Sequence, residues 1–373
     1  MKEERSKPAG IKDIAEALKI SIGTVDRALH ARPGVNAETR AKVLKMAEKL
    51  NYRPNVAARN LKLNRNVRLA VHLPEQIASF YDPVRDGICT AARDALGMRV
   101  DVDFRTYRRF GQEDLEMLQT DVDKGYDGFI LAPGSPRQMD PVLRKIASRG
   151  AHAVFVATDA PRSPRLAFVG SDAYVCGSIA AELLAMQLRH KGSVAIVTGD
   201  VSIEDHAQKV RGFAATVAVM APHLHLLAAV ESHDDPGQAY TMTRALLEED
   251  PAPSGIYVST ANSLAVVQAI EEAGLLGQIQ VVATDLFPEL VPLIESGGVF
   301  ATLHQRPFTQ GKMAFEALSR FLVHGSKPRM VTKLPPHIVL RSNLGLFTAE
   351  QALNAASPYT AQELKAGSSS LVV

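Results

Sequence analysis

Ser21-Ile22-Gly23-Thr24-Val25-Asp26-Arg27-Ala28-Leu29 stands at the centre of the stretch from Gly10 to Leu63, and the reading of that stretch decides how the chain is built. Just upstream, Ile11, Ile14, Ala15 and Leu18 recur at the i, i+3, i+4, i+7 spacing of one helix face, so a first short helix is expected. The pattern breaks at Lys19-Ile20. Ser21 is then a good N-cap for a second helix over Ile22 to Leu29, with Val25, Ala28 and Leu29 packed inward and Ile22, Gly23, Asp26 and Arg27 left outside. After a loop at Arg32-Pro33-Gly34, Asn36 caps a third helix, with Glu38 near its positive end and Val43, Leu44, Ala47 and Leu50 as its buried stripe. Tyr52-Arg53-Pro54-Asn55 closes this small core, and Asn55 can cap a fourth segment, Val56 to Leu63.

Such periodicity also suits plain globular core, and charge separates the two readings. Residues 1–66 carry 15 Lys and Arg against 7 Asp and Glu, a net +8, whereas the rest carries 27 against 33, a net −6. A basic head on a mildly acidic body is the footprint of a phosphate-binding module attached to something else.

Ile11-Lys12-Asp13-Ile14-Ala15, Thr24-Val25-Asp26-Arg27, Val35-Asn36-Ala37-Glu38-Thr39-Arg40 and Leu50-Asn51-Tyr52-Arg53-Pro54-Asn55 resemble the N-terminal DNA-binding domain of the lactose-repressor/purine-repressor family. The resemblance is continuous over about the first sixty residues and continues more weakly to about residue 347. It implies a helix-turn-helix domain over 9–54, a hinge helix and linker over 55–66, an effector-binding core over 67–347 and a C-terminal tail over 348–373. Within the core it implies one lobe from about 67–170 and 306–333 and another from about 171–305 and 334–347. Ile22, Gly23 and Arg27 match the positions from which the family's recognition helix reaches base edges. Arg27 suits bidentate pairing with guanine; Ile22 offers apolar contact with a thymine methyl and Gly23 no side chain, so direct readout should be thin. Ser21, Thr24 and Asn36 hold phosphates or act as caps. On the hinge segment, Asn55 and Arg59 accompany Leu61, which matches a leucine wedged into the minor groove, and Lys62, which matches a neighbouring lysine; hinge packing is the alternative for Leu61. Two departures are Lys19, where the family has glycine in the tight turn, and Asp26, where it has serine. The tail lacks the leucine heptad of tetrameric members, so the implied partner is double-stranded, near-palindromic operator DNA bound by a homodimer.

From Arg68 the pattern becomes an alternation of short apolar strands with amphipathic helices. Strands are expected at Leu69–Leu73, Arg99–Phe104, Gly128–Ala132, Ala153–Ala157, Val194–Val197, Leu224–Val230, Gly255–Val258 and Gln280–Ala283. The fold class is therefore an all-α helix-turn-helix head with a hinge helix, followed by an α/β core of two doubly wound parallel-sheet lobes, which is similar to the type I periplasmic-binding-protein kind. Ligands of such folds sit beyond the carboxyl ends of the strands, here between the lobes.

Similarity to the ribose-binding type of core assigns the loops. Phe80 and Tyr81 stand where members place aromatics against a sugar face, with lobe packing as the alternative. Asp159 and Asp285 lie just past strand ends, where a carboxylate accepts two hydroxyl hydrogens. Ser171 and Asp172 match a Ser-Asp-Asn segment whose Asn has become Ala173; Asp159 and Asp172 suit caps or turns equally. Lys209 takes the place of an effector-contacting arginine, with His206 one turn earlier, and both also suit a plain surface. Asn262 falls within an Asn-Asp pair whose first member is Ala261, and Gln305 matches a pocket glutamine near the lobe crossover. The implied effector is a small sugar or polyol; a phosphosugar or purine stays open through Lys209 and the aromatics.

An enzyme reading finds no Gly-x-x-x-x-Gly-Lys, no Gly-x-Ser-x-Gly and no His-rich metal motif, so neither cofactor nor metal is expected. Cys89 and Cys176 are too few for a disulfide framework and read as buried apolar residues. A charged N-terminus without a signal-peptide core, and no apolar run long enough to span a bilayer, point to a cytoplasmic protein without membrane contact. The same points count against the other reading, an exported sugar-binding protein.

Overall fold

The structure, a computed structural model, describes residues 10–29, 33–50, 66–95, 98–110, 113–248, 252–348 and 370–372. Asn55, Arg59, Leu61 and Lys62, the hinge helix expected over 55–66 and most of the tail expected over 348–373 lie outside them. The chain divides into two compact units, the helical head and the pair of sheets.

In the head, the apolar spacing becomes α1 (Ile11–Leu18), α2 (Ile22–Leu29) and α3 (Ala37–Lys49). Ile14, Ala15, Val25, Ala28, Val43 and Ala47 form the core, with Met46 and Leu50 packed on it. Leu44 is a correction: it is 49% exposed. The stripe runs Val43, Met46, Ala47, Leu50, and Leu44 lies about 100° off Val43 around the helix, beyond what so small a core can cover. Lys19 takes the left-handed conformation, φ 53°, that glycine adopts without steric cost, and its N–H still closes α1 on Ala15 and Glu16.

In the core, the first five strands are β1 (Val67–Pro74), β2 (Val100–Tyr107), β3 (Gly128–Leu131), β4 (His152–Val156) and β5 (Ala167–Ser171), interleaved with α4 (Ala78–Asp94), α5 (Asp114–Asp121) and α6 (Pro136–Ser148). Then come α7 (Ala173–Gln187), β6 (Gly192–Thr198), α8 (Glu204–Met220), β7 (Leu224–Leu226), β8 (Val230–Glu231), α9 (Pro236–Leu247), β9 (Gly255–Val258), α10 (Ser263–Glu272), β10 (Gln280–Thr284), α11 (Val291–Ser296) and β11 (Ala301–His304). The chain ends with α12 (Pro307–His324), β12 (Val331–Leu334), β13 (His337–Val339) and β14 (Ser370–Val372). One sheet has the order β12-β5-β4-β3-β1-β2-β14, the other β13-β11-β10-β9-β6-β7, with β8 also on β6. Only β13 on β11 and β14 on β2 pair antiparallel among the described strands. Central strands are buried along their whole length, as Phe129-Ile130-Leu131 and Ile256-Tyr257-Val258 show, because helices cover both faces. The strand expected over Leu224–Val230 is two, both on the β6 edge, and the last residues, expected as a tail, include a strand that pairs Ser370 with Asp103.

Among the described strands the chain passes between sheets four times, after Ser171, after His304, after Leu334 and between β13 and β14. Each lobe is braced by one helix pair in backbone contact. A Cβ on Gly177 (α7) would fall 2.0 Å from the Lys209 carbonyl oxygen, and one on Gly212 (α8) 2.0 Å from that of Tyr174; Gly87 and Gly311 repeat the arrangement between α4 and α12 against Phe308 and Val84. On an exposed helix Gly→Ala gains about 0.5–1 kcal/mol. Here the added methyl has no room, so Gly212→Ala should lose about 1–3 kcal/mol, read as a lower urea midpoint; an unchanged or higher midpoint would contradict the close crossing.

Candidate functional site

The head exposes one face of α2. Ile22 is 49% exposed, and Gly23 and Arg27 share that face. Ser21 is a cap: its Oγ accepts from the Thr24 N–H at 3.1 Å and lies 2.8 Å from Thr24 Oγ1. Asn36 does the same for α3, accepting from the Thr39 N–H at 2.7 Å. Ser21 and Asn36 thus hold the helix starts, while Ile22, Gly23 and Arg27 remain the outward surface.

In the core, the carboxyl ends of parallel strands in both sheets converge on one cavity. Phe80 and Tyr81 enter from α4, Thr158 from beyond β4, and Asp205, His206 and Lys209 from the first turns of α8; Asp234 follows β8, Asp285 follows β10 and Gln305 follows β11. Lys209 Nζ sits 2.7 Å from Asp205 Oδ2, one turn away on α8, and donates to the Ser259 carbonyl at 3.2 Å. Burial opposes its charge most strongly, but the Asp205 carboxylate together with Tyr257 and Cys176 holds the ammonium above its ordinary range. His206 Nε2 lies 3.2 Å from Asp234 Oδ2, and Nδ1 lies 3.5 Å from Thr198 Oγ1. Burial again works against protonation and Asp234 outweighs it, raising the imidazole. Asp285 accepts from the Gln305 N–H at 3.2 Å and from Gln305 Nε2 at 2.9 Å. Burial pushes its carboxyl up to about 6, against Lys209 and Gln305, which favour the ion.

Two buried polar atoms of the lining have no partner: Thr158 Oγ1 and the second oxygen of Asp234, Oδ1. Buried polar groups are normally satisfied, which sets these two apart from the rest of the lining. The backbone carries strain at the same place. Ile77, Ala157 and Asp285, all lining the cavity, have φ of 59°, 67° and 64°, and Thr302 Oγ1 donates to the Asp285 carbonyl to hold that geometry. Across the cleft, Gln76 Nε2 donates to the Asp234 carbonyl at 2.9 Å and Arg109 Nη2 to Asp235 Oδ2 at 3.2 Å, tying loops of one lobe to the Asp234 loop of the other.

Residues 10–55 match the family model described as bacterial regulatory proteins, lacI family, and residues 69–327 match that of the periplasmic binding protein domain. The chain belongs to the periplasmic binding protein domain family. It is similar to catabolite control protein A of Priestia megaterium, 24% identical over 89% of this chain and 98% of the relative. It is also similar to the ribose operon repressor of Bacillus subtilis, 26% identical over 83% and 90% of the two chains. Among solved structures, GanP, a glucose-galactose binding protein from Geobacillus stearothermophilus, matches with TM-score 0.70 and 25% identity over 75% of this chain and 99% of its own. A Bacillus halodurans solute binding protein with bound myo-inositol shares the fold, with TM-score 0.70 and 16% identity over 76% and 98%.

Within this periplasmic-binding-protein core, the structure brings Phe80, Tyr81, His206, Lys209, Asp285 and Gln305 to one cavity and leaves four expected residues off it. Asp159 is neutralised in its own loop, accepting from Arg165 Nη2 at 2.8 Å and from the Ala160 N–H at 2.8 Å. Ser171 donates to the Gln305 carbonyl at 3.0 Å, stitching two crossovers together. Asp172 caps α7 through the Val175 N–H and pairs with Lys333 at 3.1 Å. Asn262 heads α10 and borders a neighbouring cavity instead. Asp205, Asp234, Thr158 and Phe110 line the site without having been singled out by sequence. Only Asp205 had a usable signal, its i, i+4 spacing to Lys209. Asp200, Glu231 and His233 lie close enough together to share an ion, but Asp200 and Glu231 already accept from the Ser202 and Val201 amides, which accounts for their placement. Cys89 and Cys176 are free and buried, and burial pushes both thiols up to about 12.

The Asp285 carboxyl gives this site a pH signature. Between about pH 4 and about pH 6 the unfolded chain releases this proton while the folded chain keeps it, so the carboxyl lowers stability progressively across that window and by a constant amount above it. Asp285→Asn, with no charge to bury, should gain in Tm relative to the parent as pH rises from about 4 to about 6 and then level off. Calorimetry showing a pH-independent difference would contradict the buried acid.

Proposed function

We propose that this protein is a lacI-type cytoplasmic repressor that binds near-palindromic operator DNA as a homodimer through α2, with its operator affinity set by a small sugar or polyol in the cleft. The observation that carries the ligand class is the pairing of charges in the cavity. Lys209 is matched by Asp205 and His206 by Asp234, while Asp285 and the unpartnered oxygens of Asp234 and Thr158 remain to accept or donate hydroxyl hydrogens. A phosphate would find no cation in the cavity that is not already neutralised, whereas a polyol finds several acceptors and, in Phe80 and Tyr81, an apolar face. Similarity to a ribose operon repressor and to a glucose-galactose binding protein supports the same class. The basic head, with Arg27 on the outward face of α2, supports operator binding over a transport role. No helix among the described residues is long and apolar enough to cross a membrane.

The link between sites is mechanical. A ligand held by Asp285 on one side and by Thr158 on the other favours the closed cleft that Gln76 and Arg109 already bridge, and closure alters the support of the operator-binding head. Couplings of this kind amount to about 1–3 kcal/mol. A thermal-shift panel of sugars, polyols, sugar phosphates and purines on the full chain tests the ligand class. A neutral sugar or polyol at 100 times its Kd should stabilise the protein by about 2.7 kcal/mol. Stabilisation by phosphates or purines alone would overturn the sugar reading.

A further inference from the structure

Beside the cavity lies an outer chamber, lined by polar groups that include Gln76, Arg109, Ser135, Ser202 and Gln238. Phe110, Ile203 and Asp234 face both spaces and so form the wall between them. Asp234 is 5% exposed and fixed through Oδ2 by His206. Phe110, just past the end of β2, fills the lobe-one side of the wall.

The ring of Phe110 has little freedom. Its centroid lies 5.9 Å from that of Tyr81 and 6.0 Å from that of Tyr107, at interplanar angles of 68° and 61°, both edge-to-face. On another side it rests on the backbone of Gly134, where a Cβ would fall 2.1 Å from Phe110 Cδ1. Glycine at 134 is what allows the ring to lie there, and the lining of one cavity is thereby closed off from the next.

Resting on the sugar reading of the cleft, we propose that Phe110 is the specificity residue that limits the ligand to a single ring, and that the outer chamber takes a second sugar unit once the wall is removed. The chamber suits that unit chemically. Ser135, Ser202 and Gln238 offer hydroxyl and amide groups of both hydrogen-bonding senses, and the unpartnered Asp234 Oδ1 stands at the junction, where a hydroxyl beside a glycosidic bond would pass. A pocket wall discriminates by exclusion: the ring rejects the longer ligand on size and leaves the inner hydrogen bonds unchanged.

Isothermal titration of the full chain tests this, with D-glucose, D-galactose, D-ribose and myo-inositol set against maltose, cellobiose, lactose and melibiose. The parent should bind a member of the first group and reject the second. Phe110→Ala should lower the ratio of disaccharide to monosaccharide Kd at least tenfold, and Phe110→Leu, which keeps more apolar volume if the alanine variant fails to fold, should lower it less. An unchanged ratio in the folded variants overturns the proposal, as does a parent that binds a disaccharide as tightly as its monosaccharide. Absence of binding by every sugar, in parent and variants alike, brings down the sugar reading itself, and this proposal with it.

Discussion

The joint between Asp285 and Gln305 is the constraint on which the core depends. Asp285 ends one strand of the second sheet in a left-handed conformation, and both of its oxygens accept from Gln305, the residue at which the chain leaves that sheet. The Gln305 carbonyl in turn accepts from Ser171 at an earlier crossover and from Gln310 Nε2 at 2.8 Å. Two of the four crossovers are therefore fastened to one buried acid, and that acid also lines the cavity. A molecule bound at Asp285 would touch the joint that fastens these crossovers.

Charge placement follows from the same economy of space. Three carboxylates, Asp205, Asp234 and Asp285, are buried or nearly so around Lys209 and His206. Each of these two is held by its own acid, which leaves one carboxylate and the second oxygen of another for a ligand. Isolated buried charges are costly, so this pairing is what lets a polar site exist between two apolar cores. The paired glycines keep α8 close against α7, and so hold Lys209 and His206 at the depth where these pairs can form.

Much of this was legible in the chain. Helix periods in the first fifty residues and the alternation of apolar runs with amphipathic helices are local signals, and the elements they mark formed at nearly those positions. Six of ten expected cleft residues share one cavity, because a strand's carboxyl end can be read from where its apolar run stops. What failed were residues whose role depends on a partner far away in the chain or on the direction of a turn. Asp159 looks like Asp285 in sequence, each preceded by Ala-Thr, yet Arg165 neutralises the first while Gln305 presents the second. Asp234 sits in an ordinary-looking turn before Pro236, and nothing local shows that it faces His206. Leu44 shows that apolar character alone does not place a residue on the buried side of a short helix.

The most direct test of the account is operator affinity with and without the ligand. Fluorescence anisotropy of the full chain on a duplex selected from a randomised pool, with Arg27→Ala alongside, would measure it. A sugar that stabilises the protein should change the operator Kd by about 5–150-fold, and Arg27→Ala should reduce discrimination against scrambled DNA by about 1–3 kcal/mol. An operator Kd that stays the same at saturating sugar would contradict the claim that the cleft governs DNA binding.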